Sequence, residues 1–133
     1  MFNELGEVMG GAIVVLYTLT VLNYFVKFIY RKYKEQLVKN EIVFKIFTKL
    51  KKIIVKNHKL FGVLTIIFLM LHFLMQFSRY GFNISGLIAA GVMILQIVLG
   101  IYGAVAKKIG IIWFTMHRVI AIVLFIAIVI HTS

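Results

Sequence analysis

The sequence predicts an all-α integral membrane protein: a four-helix bundle with both termini outside and a basic amphipathic cytoplasmic segment between its first and second spans. Hydrophobic residues make up 62% of the 133, and mean hydropathy is +1.04, well above the roughly 45–50% apolar content of a soluble domain. The apolar residues gather into four runs, near 8–30, 59–78, 84–105 and 110–131, each close to the ~20 residues a helix needs to cross hydrocarbon. Basic residues flank one side of these runs far more than the other. One membrane domain, 1–133, accounts for the length.

The first run follows Glu4 and Glu7 rather than a basic stretch, and no small-residue cleavage site succeeds it. It is therefore expected to persist as a helix and not as a removed leader. Eleven of the 15 basic residues lie between Lys27 and Lys59, and Lys107, Lys108 and Arg118 surround the third connection, whereas the second connection has only Arg79. Positive-inside bias makes the two basic regions cytoplasmic and puts Glu4, Glu7, Arg79 and both termini outside. The net charge of +11 would suggest nucleic acid in a soluble chain. Placed beside the spans, it points instead to membrane lipid as partner, to no nucleic acid, and to a multi-pass protein of a prokaryotic cytoplasmic membrane.

Between the first two spans, residues 33–56 mix lysines with Leu37, Ile42, Phe44, Phe47, Leu50 and Ile54. Such a segment suits a basic helix resting on the inner leaflet. It equally suits a dock for an acidic soluble electron carrier, because lysines serve anionic lipid and acidic protein alike.

Spans two and four carry all four histidines: His58 and His72, His117 and His131, fourteen apart in each case. Fourteen residues of α-helix return to within about 40° of the starting direction and rise roughly 21 Å. Each helix then presents two imidazoles on one face, one near each side of the membrane. The two spans run in the same direction, so His58 pairs with His117 inside and His72 with His131 outside. Paired imidazoles supply both axial positions of a haem iron, a closed site suited to electron transfer. Two haem b groups follow. Cysteine is absent, which excludes covalent attachment, iron–sulfur clusters and disulfides. Spans two to four also lack acidic residues, which weighs against a transition-metal transporter.

Gly86 and Gly100 in the third span are also fourteen apart. A missing side chain admits a macrocycle edge beside the backbone, so Gly86 is placed at the outer haem and Gly100 at the inner; close helix packing through small residues explains them equally well. Gly62, one turn after His58, and the Gly10/Gly11 pair are weaker versions of the same pattern. Lys59 and Arg118 follow the inner ligands and Arg79 is the outer cation, so these three are candidates for the propionates. Their role as interfacial anchors is as natural. Trp113 and Tyr80 read as aromatic-belt residues, and Phe61, Phe68 and Phe125 as packing around the macrocycles.

The segments HKLFGVLTIIFLMLH (58–72) and HRVIAIVLFIAIVIH (117–131) resemble the transmembrane dihaem cytochromes b. The ferric reductase and NADPH oxidase membrane domain is similar in helix logic, and the cytochrome b of quinol-oxidising complexes is similar in its paired spacing and glycines. The resemblance covers spans two to four and implies that His58, His72, His117 and His131 are the iron ligands. It also implies electron passage from a cytoplasmic donor, whether a flavoprotein, a small redox carrier or a quinol, to an outer acceptor. The chain departs from the larger relatives in having no flavin or NAD(P)H domain, and from cytochrome b561 in how its histidines are distributed. Two alternatives stand beside the conduit. One is a quinol dehydrogenase or quinone reductase with a quinone near Gln76, Ser78, Arg79 and Tyr80; the other is a haem-bearing anchor subunit of a larger redox complex or a homo-oligomer.

Overall fold

The computed structural model describes residues 2–133, and they form four helices in chain order: α1 (Phe2–Val38), α2 (Glu41–Tyr80), α3 (Ile84–Val105) and α4 (Ile111–Thr132). Each is long and apolar enough to cross a membrane. Most of their large hydrophobic side chains face outward, Val15, Ile67, Ile88 and Ile122 among them, as lipid-facing helices require and a water-soluble fold would not tolerate.

The last two helices match the expected spans within a residue or two. The first two extend well past them. Lys, Glu and Gln are good helix formers, and no glycine or proline lies between Gly11 and Gly62, so helix continues from the apolar run into the basic one. The 33–56 stretch is accordingly not one helix: it is divided between the end of α1 and the start of α2 by a turn at residues 39–40. Asn40 begins α2 by accepting a 3.2 Å hydrogen bond from the Val43 N–H on its Oδ1, an N-cap arrangement. Where the basic stretch opens, Tyr33 leaves helical geometry (φ −117°, ψ 15°) and α1 kinks.

The chain groups into two compact units, Met1–His72 and Phe73–Ser133. In the first, α1 and α2 run antiparallel. Tyr30 of α1 stacks on Phe44 and Phe47 of α2, and Lys51 Nζ sits 3.3 Å above the Tyr30 ring, a cation–π contact that holds the basic end of the hairpin together. At the other end, the His72 ring meets the first turns of α1.

In the second unit α2 stops at Gly81, whose φ of +70° is the left-handed conformation glycine adopts without a Cβ clash. Asn83 then caps α3, its Oδ1 accepting from the Gly86 N–H at 3.0 Å. α3 and α4 pack along each other. They are antiparallel, since Ser85 at the start of α3 meets His131 at the end of α4 while Leu99 near the end of α3 meets Trp113 at the start of α4.

Candidate functional site

All four histidines are half-buried. On α2 and α4 the most enclosed residue lies midway between them: Thr65 is 2% exposed and Leu124 0%, each seven residues, about two helical turns, from the histidine on either side. Met93 holds the corresponding place between Gly86 and Gly100 on α3 and is also buried. The histidine and glycine positions therefore share the inward-facing stripe of their helices. The Thr65 hydroxyl donates to the Phe61 carbonyl of its own helix at 2.7 Å.

His72 and His131 have matching surroundings in their separate units. Nδ1 of His72 lies 3.0 Å from the carbonyl oxygen of Gly6, which is itself buried. A Cβ on Gly10 would stand 3.4 Å from His72 Cε1. Nδ1 of His131 lies 3.1 Å from Ser85 Oγ, and a Cβ on Gly86 would come within 2.9 Å of His131 Cε1. Each ring thus rests against the opening turns of the preceding helix, over a glycine that makes room for it. Gly86 is therefore brought to His131, and Gly10 to His72.

The other two histidines are set differently. The Nδ1 of His58 is buried without a hydrogen-bond partner among the described residues. His117 is held by Gln96, whose Nε2 donates to the His117 carbonyl at 3.1 Å and lies 3.2 and 3.3 Å from the two ring nitrogens. Trp113 also stacks on His117, its ring centre 5.0 Å from the imidazole, and donates from Nε1 to the Leu99 carbonyl at 3.0 Å. Gly103 is the hole into which this indole fits, since a Cβ there would collide with it. Trp113 is thus a packing residue of the α3–α4 hairpin as well as a neighbour of a histidine, a part that its reading as an aromatic-belt residue did not include.

The remaining candidates stand in open surroundings. Nothing lies within 4 Å of a Cβ built on Gly62 or Gly100. Lys59, Arg79 and Arg118 are exposed; Arg79 lies over the neighbouring Tyr80 ring and Arg118 over Phe114. Of the residues considered for a quinone, Ser78 donates its hydroxyl to the Leu74 carbonyl of its own helix. Among the described residues no three His, Cys, Asp or Glu side chains gather into a metal-holding group.

No family model, curated protein or solved structure matches the chain.

Sequence reasoning passed over Gly6, Asn83, Ser85 and Gln96. Gln96 is the one side-chain amide within α3, and a polar group inside a membrane helix is costly unless it has a task. That alone could have singled it out. Ser85 is legible only once α3 and α4 are known to be antiparallel with Gly86 against His131.

Proposed function

We propose that the chain is a dihaem b-type cytochrome of the membrane. His58 and His117 would hold an inner haem and His72 and His131 an outer one, within an N-out, C-out four-helix bundle. The observation that carries this is the repetition of H-x13-H on α2 and α4, with Thr65 and Leu124 buried midway. Equal spacing of two imidazoles on one stripe of each of two helices is hard to assign to packing alone and suits two stacked axial sites.

The residues present fit the group. Each site asks for two neutral nitrogen ligands and no carboxylate or thiolate, and α2 to α4 between His58 and His131 contain no acidic residue and no cysteine. At His72 and His131 the ring lies against a glycine whose Cβ would crowd it, so backbone and ligand approach closely there. Bound haem would supply one-electron chemistry; the protein supplies axial nitrogens, ring orientation and an apolar surround. Lys59, Arg118 and Arg79 are the cations for propionates, and Gly62 and Gly100 offer open backbone beside the helices.

On this reading the chain passes electrons from a cytoplasmic donor to an outer acceptor, in the manner of the dihaem membrane domains its histidine pattern resembles. The lysine-rich hairpin around residues 33–56 serves the cytoplasmic side, against anionic lipid or an acidic carrier.

The test is redox titration of the purified protein, followed by visible spectroscopy, together with His58→Ala and His131→Ala. Two b-type components are expected, each variant abolishing a different one. A wild-type protein without a Soret band would end the haem assignment, and loss of the same component in both variants would end the pairing.

A further inference from the structure

A metal binds only the imidazole nitrogen that carries the lone pair, and which nitrogen that is depends on what the other one donates to. For two of the four histidines the hydrogen-bond network decides the matter. A carbonyl oxygen has no proton to give, so the 3.0 Å contact between His72 Nδ1 and the Gly6 carbonyl requires the proton on Nδ1. A neutral His72 then has its lone pair on Nε2.

At His131 the same answer comes through a chain of three bonds. The Gly6 role is played by a hydroxyl, which could donate or accept, so the direction must be traced. The Gly86 backbone N–H can only donate, and it points at the Asn83 side chain at 3.0 Å; the atom facing it is therefore the acceptor, Oδ1. Ser85 Oγ lies 2.7 Å from that same Oδ1 and must give it the one hydroxyl proton. With that proton committed, Ser85 Oγ can only accept at its 3.1 Å contact with His131 Nδ1. The proton is on Nδ1 again, and the lone pair on Nε2.

We infer that Gly6 through its carbonyl, and Ser85 through a hydroxyl oriented by Asn83, are positioning groups that hold His72 and His131 as Nδ1–H tautomers and so make Nε2 the ligand atom in both. What Nε2 binds rests on the haem reading above; the tautomers do not. The two groups are unrelated in chemistry, one a backbone carbonyl at the start of α1 and the other a serine at the start of α3, yet each lies at the first turns of the helix preceding its histidine's own. Donation from Nδ1 also enriches the ring in electron density, so an iron on Nε2 is more easily held oxidised than with an unsupported imidazole.

The experiment is nitrogen NMR of the full chain, labelled with 15N-histidine, in lipid nanodiscs. The chain is prepared under haem limitation, and His72→Gln and His131→Gln assign the signals. Both histidines are expected in the Nδ1–H form. Ser85→Ala should convert His131 to a tautomer mixture while leaving His72 unchanged. Ser85→Thr, which keeps the hydroxyl, should restore the wild-type signal. The Asn83 cap to Gly86 survives in Ser85→Ala, and the unchanged His72 signal serves as the folding control. In haem-loaded protein, Ser85→Ala should move the potential of the outer component alone toward positive values. An Nε2–H form of His131 in the wild type, or a His131 signal indifferent to Ser85→Ala, would overturn the inference. The expected tautomers in a chain that takes up no haem would leave the positioning role standing and remove the haem assignment.

Discussion

The Trp113 indole is stacked on the His117 imidazole, ring centres 5.0 Å apart and planes 12° from parallel. The same indole donates to Leu99 across the hairpin, so one side chain ties a histidine of α4 to the backbone of α3. Trp113→Phe keeps an aromatic face on His117 but loses the N–H, about 0.6 kcal/mol as the mean for a hydrogen bond between membrane helices. It also loses the part of the indole that fills the space over Gly103, so its cost should exceed that of the hydrogen bond and fall short of full truncation. Trp113→Ala also loses the packing and should cost about 3–5 kcal/mol. Equilibrium unfolding of the detergent-solubilised chain separates the two.

Gly103 provides the counterpart. A methyl group there meets the indole, so Gly103→Ala is expected to destabilise by about 1–3 kcal/mol, the usual range for overpacking. In a Trp113→Ala background most of that cost should vanish, giving a coupling of roughly 0.5–3 kcal/mol in a double-mutant cycle. Equal costs in both backgrounds would mean that the indole does not occupy the space above Gly103.

The glycines on the histidine stripe divide into crowded and open ones, and alanine distinguishes them. Gly86→Ala brings a Cβ to 2.9 Å from His131 and should destabilise the haem-free chain by about 1–3 kcal/mol. Gly62 and Gly100 have open space where the methyl would go, and alanine there should be neutral or stabilise by up to ~1 kcal/mol through helix propensity. If Gly100 stands beside the inner haem as proposed, Gly100→Ala lowers the haem-to-protein ratio while leaving haem-free stability intact. Pyridine haemochrome assay beside the unfolding measurement reads both.

At the other end of the chain, Lys45, Lys49, Lys52 and Lys56 lie on the first half of α2 within the basic hairpin. If the basic hairpin docks an acidic soluble carrier, as proposed, replacing the four with Gln slows reduction by that carrier at low ionic strength and leaves the rate at high salt near that of the wild type, since screening beyond about 10 Å at 0.1 M already removes the attraction there. Stopped-flow rates across a salt series check it. Lys51 is left in place because it sits over Tyr30 and contributes to the hairpin itself.

Apolar run length foretold α3 and α4 almost to the residue because at their N-caps, Asn83 and Gly110, helix and apolar run begin together. It fell short for α1 and α2 because hydropathy measures how much chain suits hydrocarbon, not where helix stops. Past Lys27 the chain turns basic while its residues still favour helix, and the break waits for the turn at Lys39 and Asn40. At the candidate site, period alone placed the histidines on one stripe. The partners that orient them were hidden because Gly6 acts through its backbone, which no side-chain pattern reports, and Ser85 acts from a helix paired with α4 only by the antiparallel register.

Thr65 is the one polar side chain in residues 60–71 of α2, residues 119–130 of α4 have none, and the Thr65 hydroxyl is bonded to its own helix. Between its own two histidines, each of these helices therefore offers no group that can take up and release a proton. On the dihaem reading proposed above, a charge moving along them would travel as an electron alone. Its crossing would leave the compensating proton behind on one side and so do work against, or draw work from, the membrane potential.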